Sequence, residues 1–126
     1  MGKLVLSFRD LRVYDCAFIF QQEIFELSKK FPAEEKFSLT DQIRRSSCSI
    51  GANVAEAWQK RRYVAHFVSK LTDSDAENAE TQHWLVTAMK CGYITPETFD
   101  TFEKKSKEIG SMLGKMINEP EKWCKE

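Results

Sequence analysis

The amino-acid sequence predicts an all-α protein, an antiparallel up-down-up-down four-helix bundle. Three observations lead to that fold: apolar residues recur every three or four positions in four long segments, only five Gly and three Pro interrupt 126 residues, and the connections between segments are short. Such periodicity indicates amphipathic helices, and short connections place consecutive helices antiparallel. The length suits one domain over residues 1–126, with its core between about residues 8 and 118.

The first helix is predicted from about Asp10 to Lys30, because Pro32 keeps the residue before it out of the α region. Its apolar residues form two neighbouring stripes. One stripe contains Leu11, Tyr14, Phe18 and Phe25, and the other contains Val13, Ala17, Ile24, Leu27 and Phe31. Together they cover a wider arc than one neighbouring helix would bury, so more than one neighbour is expected.

The second helix is predicted from Ser38 to Ala57, with Ser38 as its N-cap and Asp41 as a variant of the capping-box acid. Its core stripe consists of Leu39, Ile43, Ser46, Ile50, Val54 and Ala57. The opposite face carries a seam of small residues, Cys48, Gly51, Ala52 and Ala55. A glycine inside a helix costs about 1 kcal/mol relative to alanine. We therefore interpret this small-residue seam as a candidate oligomer interface, where another backbone approaches closely.

The third helix is predicted from about Tyr63 to Cys91, after a connection at residues 59–62, and Gly92 suits a left-handed C-terminal cap. Its core stripe is apolar at both ends and polar in the middle: Val64, Phe67, Val68, Leu71, Asp75, Asn78, Gln82, Leu85, Val86 and Met89. The three polar side chains need hydrogen-bond partners, since a buried group without a partner costs about 1–3 kcal/mol.

The fourth helix is predicted to begin at Thr95, an N-cap followed by Pro96 at the first helical position and by the acidic Glu97. Its core stripe consists of Phe99, Phe102, Ser106, Ile109, Leu113 and Met116. Pro120 is expected to end this helix.

Composition argues against several classes of protein. The formal net charge is zero, so the total charge points to neither nucleic acid nor an anionic membrane. The longest apolar run near the N-terminus, Leu4 to Leu6, is too short for a signal peptide or a membrane span. The four cysteines are widely spaced and form no CxxC pair. We therefore expect reduced, mostly packed thiols in a cytoplasmic protein.

The sequence contains no recognisable motif for catalysis or cofactor binding. His66 and His83 lie too far apart on one helix to share a metal ion. The interior Asp75, Asn78 and Gln82 lack the Glu-x-x-His ligand pairs of di-iron bundles. We predict no catalytic residue, no cofactor, no metal site and no small-molecule substrate. The sequence leaves open whether the polar interior binds anything.

Three segments resemble a known family: FRDLRVYDCAF near the start, FPAEEKFSLTDQIRRSSCSIGANVAEA, and the region from Glu77 to Ile94. Over about residues 8–118 the chain resembles the four-helix-bundle proteins encoded within intervening sequences of bacterial 23S rRNA genes. A related branch is similar to the accessory proteins of diversity-generating retroelements. Gly51 and Ala57 depart from the family pattern, which often has proline and glycine there. The resemblance implies a ring-like homo-oligomer, commonly a pentamer, nucleic-acid binding in some members, and no catalytic residue.

Two arginines on the flanks of the second helix, Arg44 and Arg45, have two interpretations. Guanidinium groups bind phosphates bidentately, which would make them nucleic-acid contacts. We favour instead their pairing with carboxylates such as Glu77 or Glu80 across a helix or subunit interface.

The cluster Lys60-Arg61-Arg62 is the stronger nucleic-acid candidate. It places three cations beside Trp58 and Tyr63, whose rings could stack on bases. In a symmetric ring the cluster would repeat around one rim and bind multivalently. A solvated loop is the alternative interpretation of these charges.

The sequence thus supports two functions from different classes. The first is a non-enzymatic homo-oligomer that acts as an accessory factor binding RNA or DNA. The alternative is a protein–protein interaction scaffold without a nucleic-acid role, which the zero net charge favours. Trp84, predicted to face away from the core, joins the small-residue seam as a candidate interface residue.

Overall fold

The structure, a computed structural model, describes residues 4–124, and within that range it contains four long helices and no strand. The helices are α1 (Arg12–Ser28), α2 (Asp41–Gln59), α3 (Val64–Lys90) and α4 (Pro96–Asn118). Contacts join α1 to α2, α2 to α3, α3 to α4, and α4 back to α1. Consecutive helices are therefore neighbours around a closed bundle, and the predicted fold class is confirmed.

A short 3₁₀ turn at Phe8–Asp10 precedes α1 and was not predicted. The Ser7 hydroxyl accepts a hydrogen bond from the Arg9 N–H at 3.2 Å, and the Asp10 carboxylate accepts one from the Ser7 N–H at 3.2 Å. This capping box satisfies backbone donors that would otherwise lack partners. Leu11 then leaves the helical region, so α1 begins at Arg12.

The predicted start of α2 at Ser38 is wrong. The chain is already helical before α2, as a 3₁₀ turn at Ala33–Glu35 and a π turn at Lys36–Thr40. Ser38 lies inside this segment, and its hydroxyl donates to Glu35 instead of capping α2. The Asp41 N–H bonds to carbonyl groups of the π turn. Because the preceding turn satisfies the backbone, α2 needs no side-chain cap.

The turn between α3 and α4 follows the sequence prediction. Gly92 has a φ of 79°, in the left-handed region that glycine adopts without strain. Its N–H bonds to the Met89 carbonyl and the Tyr93 N–H to the Ala88 carbonyl, each at 2.9 Å, which is a Schellman cap. The Thr95 hydroxyl then accepts a hydrogen bond from the Thr98 N–H at 3.1 Å and caps α4.

The core confirms the predicted α2 stripe completely and the other stripes in part. Buried members of the predicted stripes outside α2 are Leu11, Val13, Ala17, Ile24, Phe31, Phe67, Leu71, Asn78, Leu85, Phe99, Ser106, Ile109, Leu113 and Met116. Val64 and Val86 of α3 are exposed instead, as are Phe18 and Phe25 of α1. Phe20, which neither α1 stripe includes, is buried and its ring lies 6.3 Å from that of Phe102.

The polar layer of α3 is shifted relative to the prediction. Asn78 is buried and Gln82 half-buried as expected, but Asp75 is exposed, while Ser74 and Thr81 are fully buried. Two heptad phases share the apolar residues at either end of the layer, and the periodicity of α3 fits both. The observed phase buries small hydroxyls rather than a carboxylate, which costs less desolvation.

Within this layer, Asn78 and Ser106 join α3 to α4. The Asn78 amide donates to the Ser106 carbonyl at 2.9 Å, and the Ser106 hydroxyl donates to the Asn78 side-chain oxygen at 2.7 Å. Gln82 donates to the same hydroxyl at 2.7 Å. We call Asn78, Gln82 and Ser106 the α3–α4 polar layer. Its members bond to one another across the two helices.

Candidate nucleic-acid interface and assembly face

Arg45 is engaged within the chain. One guanidinium nitrogen lies 3.3 Å from Glu77, and the other contacts Glu80. Its charge is shared between two carboxylates of α3, as the preferred interpretation of the sequence predicted. The pKa of Glu80 is held below its ordinary value, first by the Trp84 hydrogen bond and then by Arg45. Arg45 thus forms ion pairs that link α2 to α3. Because two carboxylates already occupy its guanidinium, it is poorly suited to bind phosphate.

Arg44 is also engaged, but with neutral groups rather than the predicted carboxylates. Its Nε donates to the Ser28 hydroxyl at 2.7 Å, and a second nitrogen donates to the Phe25 carbonyl at 3.4 Å. The guanidinium carbon lies 4.5 Å from the centre of the Phe25 ring. Because α1 ends at this point, the partial negative charge of its C-terminal carbonyl groups attracts a cation. The pairing predicted for Arg44 is therefore wrong in its partner.

Trp58 is withdrawn from the candidate nucleic-acid site by its contact with Arg61, whose own side chain stays half-buried. Trp58 is 6% exposed. The Arg61 guanidinium lies 3.4 Å from the centre of its ring, and Arg61 Nε donates to the Trp58 carbonyl at 2.8 Å. The Trp58 ring is therefore covered and cannot stack on a base, contrary to the sequence interpretation.

Lys60 and Arg62 project from the junction between α2 and α3. Both are exposed, and neither forms an ion pair with a carboxylate in the described part of the chain. The acid nearest in sequence, Glu56, contacts Lys70 at 3.2 Å instead. These two cations therefore carry charge that the fold leaves uncompensated.

Two exposed rings lie beside these cations. Tyr63 is 56% exposed, and the centre of its ring lies 5.2 Å from that of the exposed His66. The Arg62 guanidinium lies 5.7 Å from the Tyr63 ring. The N-terminus of α3 adds partial positive charge here, since it has neither a side-chain cap nor an acid in its first turn. We call Lys60, Arg62, Tyr63 and His66 the basic end.

The small-residue seam of α2 is divided by the fold. Gly51 is buried, and a Cβ atom there would lie 3.5 Å from Cε1 of Tyr14 and 3.9 Å from Cβ of Ala17. The close approach predicted at this glycine exists, but the neighbour is α1 of the same chain, so Gly51 is wrongly placed in an oligomer interface. Cys48 and Ala52 are exposed and Ala55 is half-buried, so the remaining seam stays a candidate for subunit contact.

Trp84 is half-buried rather than fully outward. Its indole N–H donates to the Glu80 carboxylate at 3.0 Å, and its ring lies 4.7 Å from that of His83. The side chain therefore belongs to the same α2–α3 link as Arg45. Part of its surface stays accessible to a second subunit.

Three apolar side chains of α1 are exposed, and two of them, Phe18 and Phe25, were predicted to belong to the core. Phe18, Ile19 and Phe25 are 44%, 51% and 41% exposed. We call these three residues the α1 face. Phe18 and Ile19 line a shallow groove of about 690 Å³ between α1 and α4, together with Leu27 and Phe102, whereas Phe25 lies beside Arg44 of α2. The two predicted stripes of α1 together cover a wider arc than one neighbouring helix would bury, and this width was the sequence feature that indicated the surface.

The remaining chemistry of the described residues is sparse. The four cysteines are free, with Cys16 and Cys124 half-buried and Cys48 and Cys91 exposed. Mostly packed thiols were expected, so the exposure of Cys48 and Cys91 is a difference. Partial desolvation by neighbouring groups raises the pKa of the Cys48 thiol, although the residue is exposed, and desolvation likewise raises the pKa of the half-buried Cys124 thiol. Residues 4–124 contain neither a cluster of His, Cys, Asp and Glu able to hold a metal ion nor a helix apolar enough to cross a membrane.

Comparison with known proteins places the chain in a family. The profile of the 23S rRNA-intervening sequence protein family matches residues 9–115. A crystal structure from Bacteroides thetaiotaomicron, described as a protein with unknown function from the S23 ribosomal protein family, is 36% identical in sequence. The two folds superpose with a TM-score of 0.76, covering 83% of this chain and 97% of that one. No curated protein matches the chain. The chain belongs to the 23S rRNA-intervening sequence protein family.

Proposed function

We propose that this protein is a non-enzymatic, homo-oligomeric four-helix bundle that binds RNA or DNA through its basic end. The observation that carries the proposal is the uncompensated charge of Lys60 and Arg62. Cations without acidic neighbours attract phosphate groups and release the counterions that surround nucleic acid. Arg44 and Arg45 do not contribute, because their contacts within the chain occupy them.

Self-association is the second part of the proposal. Two free cations bind phosphate weakly, but an oligomer that repeats the basic end would bind one strand at several points. The α1 face supplies apolar surface for association, together with the exposed part of the small-residue seam. We propose a ring-like assembly, specifically a pentamer. Its symmetry would place the basic ends of all subunits on one rim. The free thiols suit a reducing compartment, so we place the protein in the cytoplasm.

No catalytic group is part of the proposal. The polar side chains that converge inside the bundle, Asn78, Gln82 and Ser106, bond to one another. The groove beside the α1 face is shallow and largely apolar. An enzyme needs converging polar groups in an accessible cleft. Here the converging polar groups lie inside the bundle, and the accessible groove lies elsewhere, beside the α1 face.

The test is salt-dependent binding of a fluorescent structured RNA by the wild type and by the double variant Lys60→Gln/Arg62→Gln. Wild-type affinity should fall as salt rises, and the double variant should lower the salt slope by about 1 for each removed cation. Mass measurement of the same sample should show an oligomer. The matched control is Lys36→Gln/Lys90→Gln, which removes equal charge from the opposite end of the bundle. Equal losses in both variants, or a salt-independent affinity, would contradict the proposal.

A protein-interaction scaffold is the second candidate function, and the α1 face is the observation that favours it. Its apolar side chains would then contact a different protein rather than another copy of this chain. Phe18→Ser/Ile19→Ser removes apolar surface while leaving the buried Phe20 intact. A monomeric variant that has lost RNA affinity favours the assembly proposed above. An oligomeric mass that the variant leaves unchanged, in a protein that shows no salt-dependent RNA binding, favours the scaffold.

A further inference from the structure

The basic end contains exposed aromatic surface as well as charge. More than half of the Tyr63 side chain is accessible, and His66 places a second exposed ring 5.2 Å away, centre to centre. The neighbouring Trp58 is covered by Arg61, so Tyr63 is the ring that the junction presents to a ligand. Val64, beside it at the start of α3, is 48% exposed and extends the apolar surface.

This combination distinguishes between forms of nucleic acid. In a duplex the base faces are stacked on one another, so a protein surface reaches mainly phosphates and base edges. An unpaired base offers its faces, and stacking on an aromatic side chain raises affinity by about five- to 150-fold for each base. Cations alone would serve either form, whereas the face of an exposed ring beside a cation stacks only on an unpaired base.

We infer that the basic end binds single-stranded nucleic acid, with a base stacked on Tyr63 and the flanking phosphates contacted by Lys60 and Arg62. This inference rests on the proposed function and adds the class of nucleic acid. Arg62 lies near enough to the Tyr63 ring, at 5.7 Å, for both to contact neighbouring parts of one nucleotide. His66 borders the stacked base from the side of α3.

The experiment compares two probes of equal length, a fluorescein-labelled 12-nucleotide oligouridine and its duplex with oligoadenosine. Wild-type protein should bind the single strand more tightly. Tyr63→Ala should weaken single-strand binding about tenfold and leave duplex binding unchanged, and Tyr63→Phe should restore the preference because the ring is retained. Phe37→Ala is the matched control, since Phe37 is 81% exposed but lies in the connection before α2, at the other end of the bundle. It should behave as wild type.

Failure of this inference is distinguishable from failure of the proposed function. If Lys60→Gln/Arg62→Gln weakens binding of both probes while Tyr63→Ala leaves their ratio unchanged, the stacking inference is overturned and the proposed function stands. If the charge variant changes neither probe, both fail. Circular dichroism and thermal unfolding of Tyr63→Ala and Tyr63→Phe show whether each variant is folded. A folded Tyr63→Phe variant that loses the preference for the single strand would also overturn the inference, because the ring is retained.

Discussion

The α3–α4 polar layer and the basic end both concentrate polar groups, but the groups of the polar layer bond to one another whereas the cations of the basic end face solvent. Asn78 and Ser106 exchange two hydrogen bonds inside the bundle, and both are buried. Lys60 and Arg62 lie at the surface without an acidic partner in the described part of the chain. Polar groups satisfied within the fold contribute to stability, whereas those left free are available for a ligand. Substitutions should therefore separate the two regions by their effects on unfolding and on binding.

The largest effect on stability is expected for Asn78→Ala. The substitution removes the bonds that Asn78 makes to the buried Ser106 carbonyl and hydroxyl and opens a small cavity, so the free energy of unfolding should fall by about 2–3 kcal/mol. Urea unfolding at one fixed protein concentration measures this, because oligomerisation makes stability concentration-dependent. Thr101→Ala is the control, since Thr101 is exposed and its hydroxyl bonds only to the Glu97 carbonyl of its own helix. A loss below about 1 kcal/mol for Asn78→Ala would contradict the comparison.

Arg45→Ala should have an intermediate effect. Glu77 and Glu80 lose their shared cation, and a loss of about 1 kcal/mol is expected for so exposed a charge network. The pKa of Glu80 lies below its ordinary value, so its contribution is present above that value and is lost as pH falls. Removing Arg45 removes one cause of the lowering, so the variant should lose less stability than wild type between neutral and acidic pH.

Thermal unfolding at pH 7 and at pH 3 measures this difference. Lys60→Gln/Arg62→Gln is the control, because removal of unpaired surface charges should change the free energy of unfolding by less than about 0.5 kcal/mol. Its acid profile should run parallel to that of wild type. Parallel profiles for Arg45→Ala and wild type would show that the guanidinium does not stabilise the Glu80 carboxylate.

The smallest effect is expected at the tyrosine of the opposite end, Tyr93. Its hydroxyl donates to Glu35 at 2.7 Å, and this bond is the main cause that raises the pKa of Tyr93 to about 12. A raised pKa contributes stability below the ordinary value of 10, which is lost as pH rises from 10 to about 12. Tyr93→Phe should therefore melt slightly below wild type at pH 8, and the gap should close towards pH 12. Tyr63→Phe, which removes an exposed hydroxyl, should show no such gap.

Much of the architecture could be predicted because it depends on neighbours in sequence. The caps at Gly92 and Thr95 need only the residues of one turn, and both formed as predicted. The start of α2 did not, because a helical segment after Pro32 competes with a cap at Ser38. Hydrogen bonds of a preceding turn leave no distinctive residue pattern.

The candidate sites were less predictable, because each depends on what a neighbouring helix places opposite. The sequence prediction placed Asp75 inside α3, but packing against α2 buries Ser74 instead, whose hydroxyl donates to the Ile50 carbonyl at 2.8 Å. Gly51 predicted the close approach of another group, but the sequence could not show that the group is Tyr14 of α1 in the same chain. The sequence predicted that the Trp58 ring could stack on a base, but in the structure the Arg61 guanidinium covers that ring.

The sequence by itself determined the four helices, the family, and the presence of two basic clusters on or beside α2. Local periodicity and capping suffice for the first, and residue order for the others. Only the tertiary structure decided that Arg45 is paired with two carboxylates of α3 while Lys60 and Arg62 have no acidic partner among residues 4–124. The physical reason is that the groups within a few ångströms of a charged side chain decide whether it forms an internal ion pair or stays available to a ligand. Those groups come from distant parts of the chain.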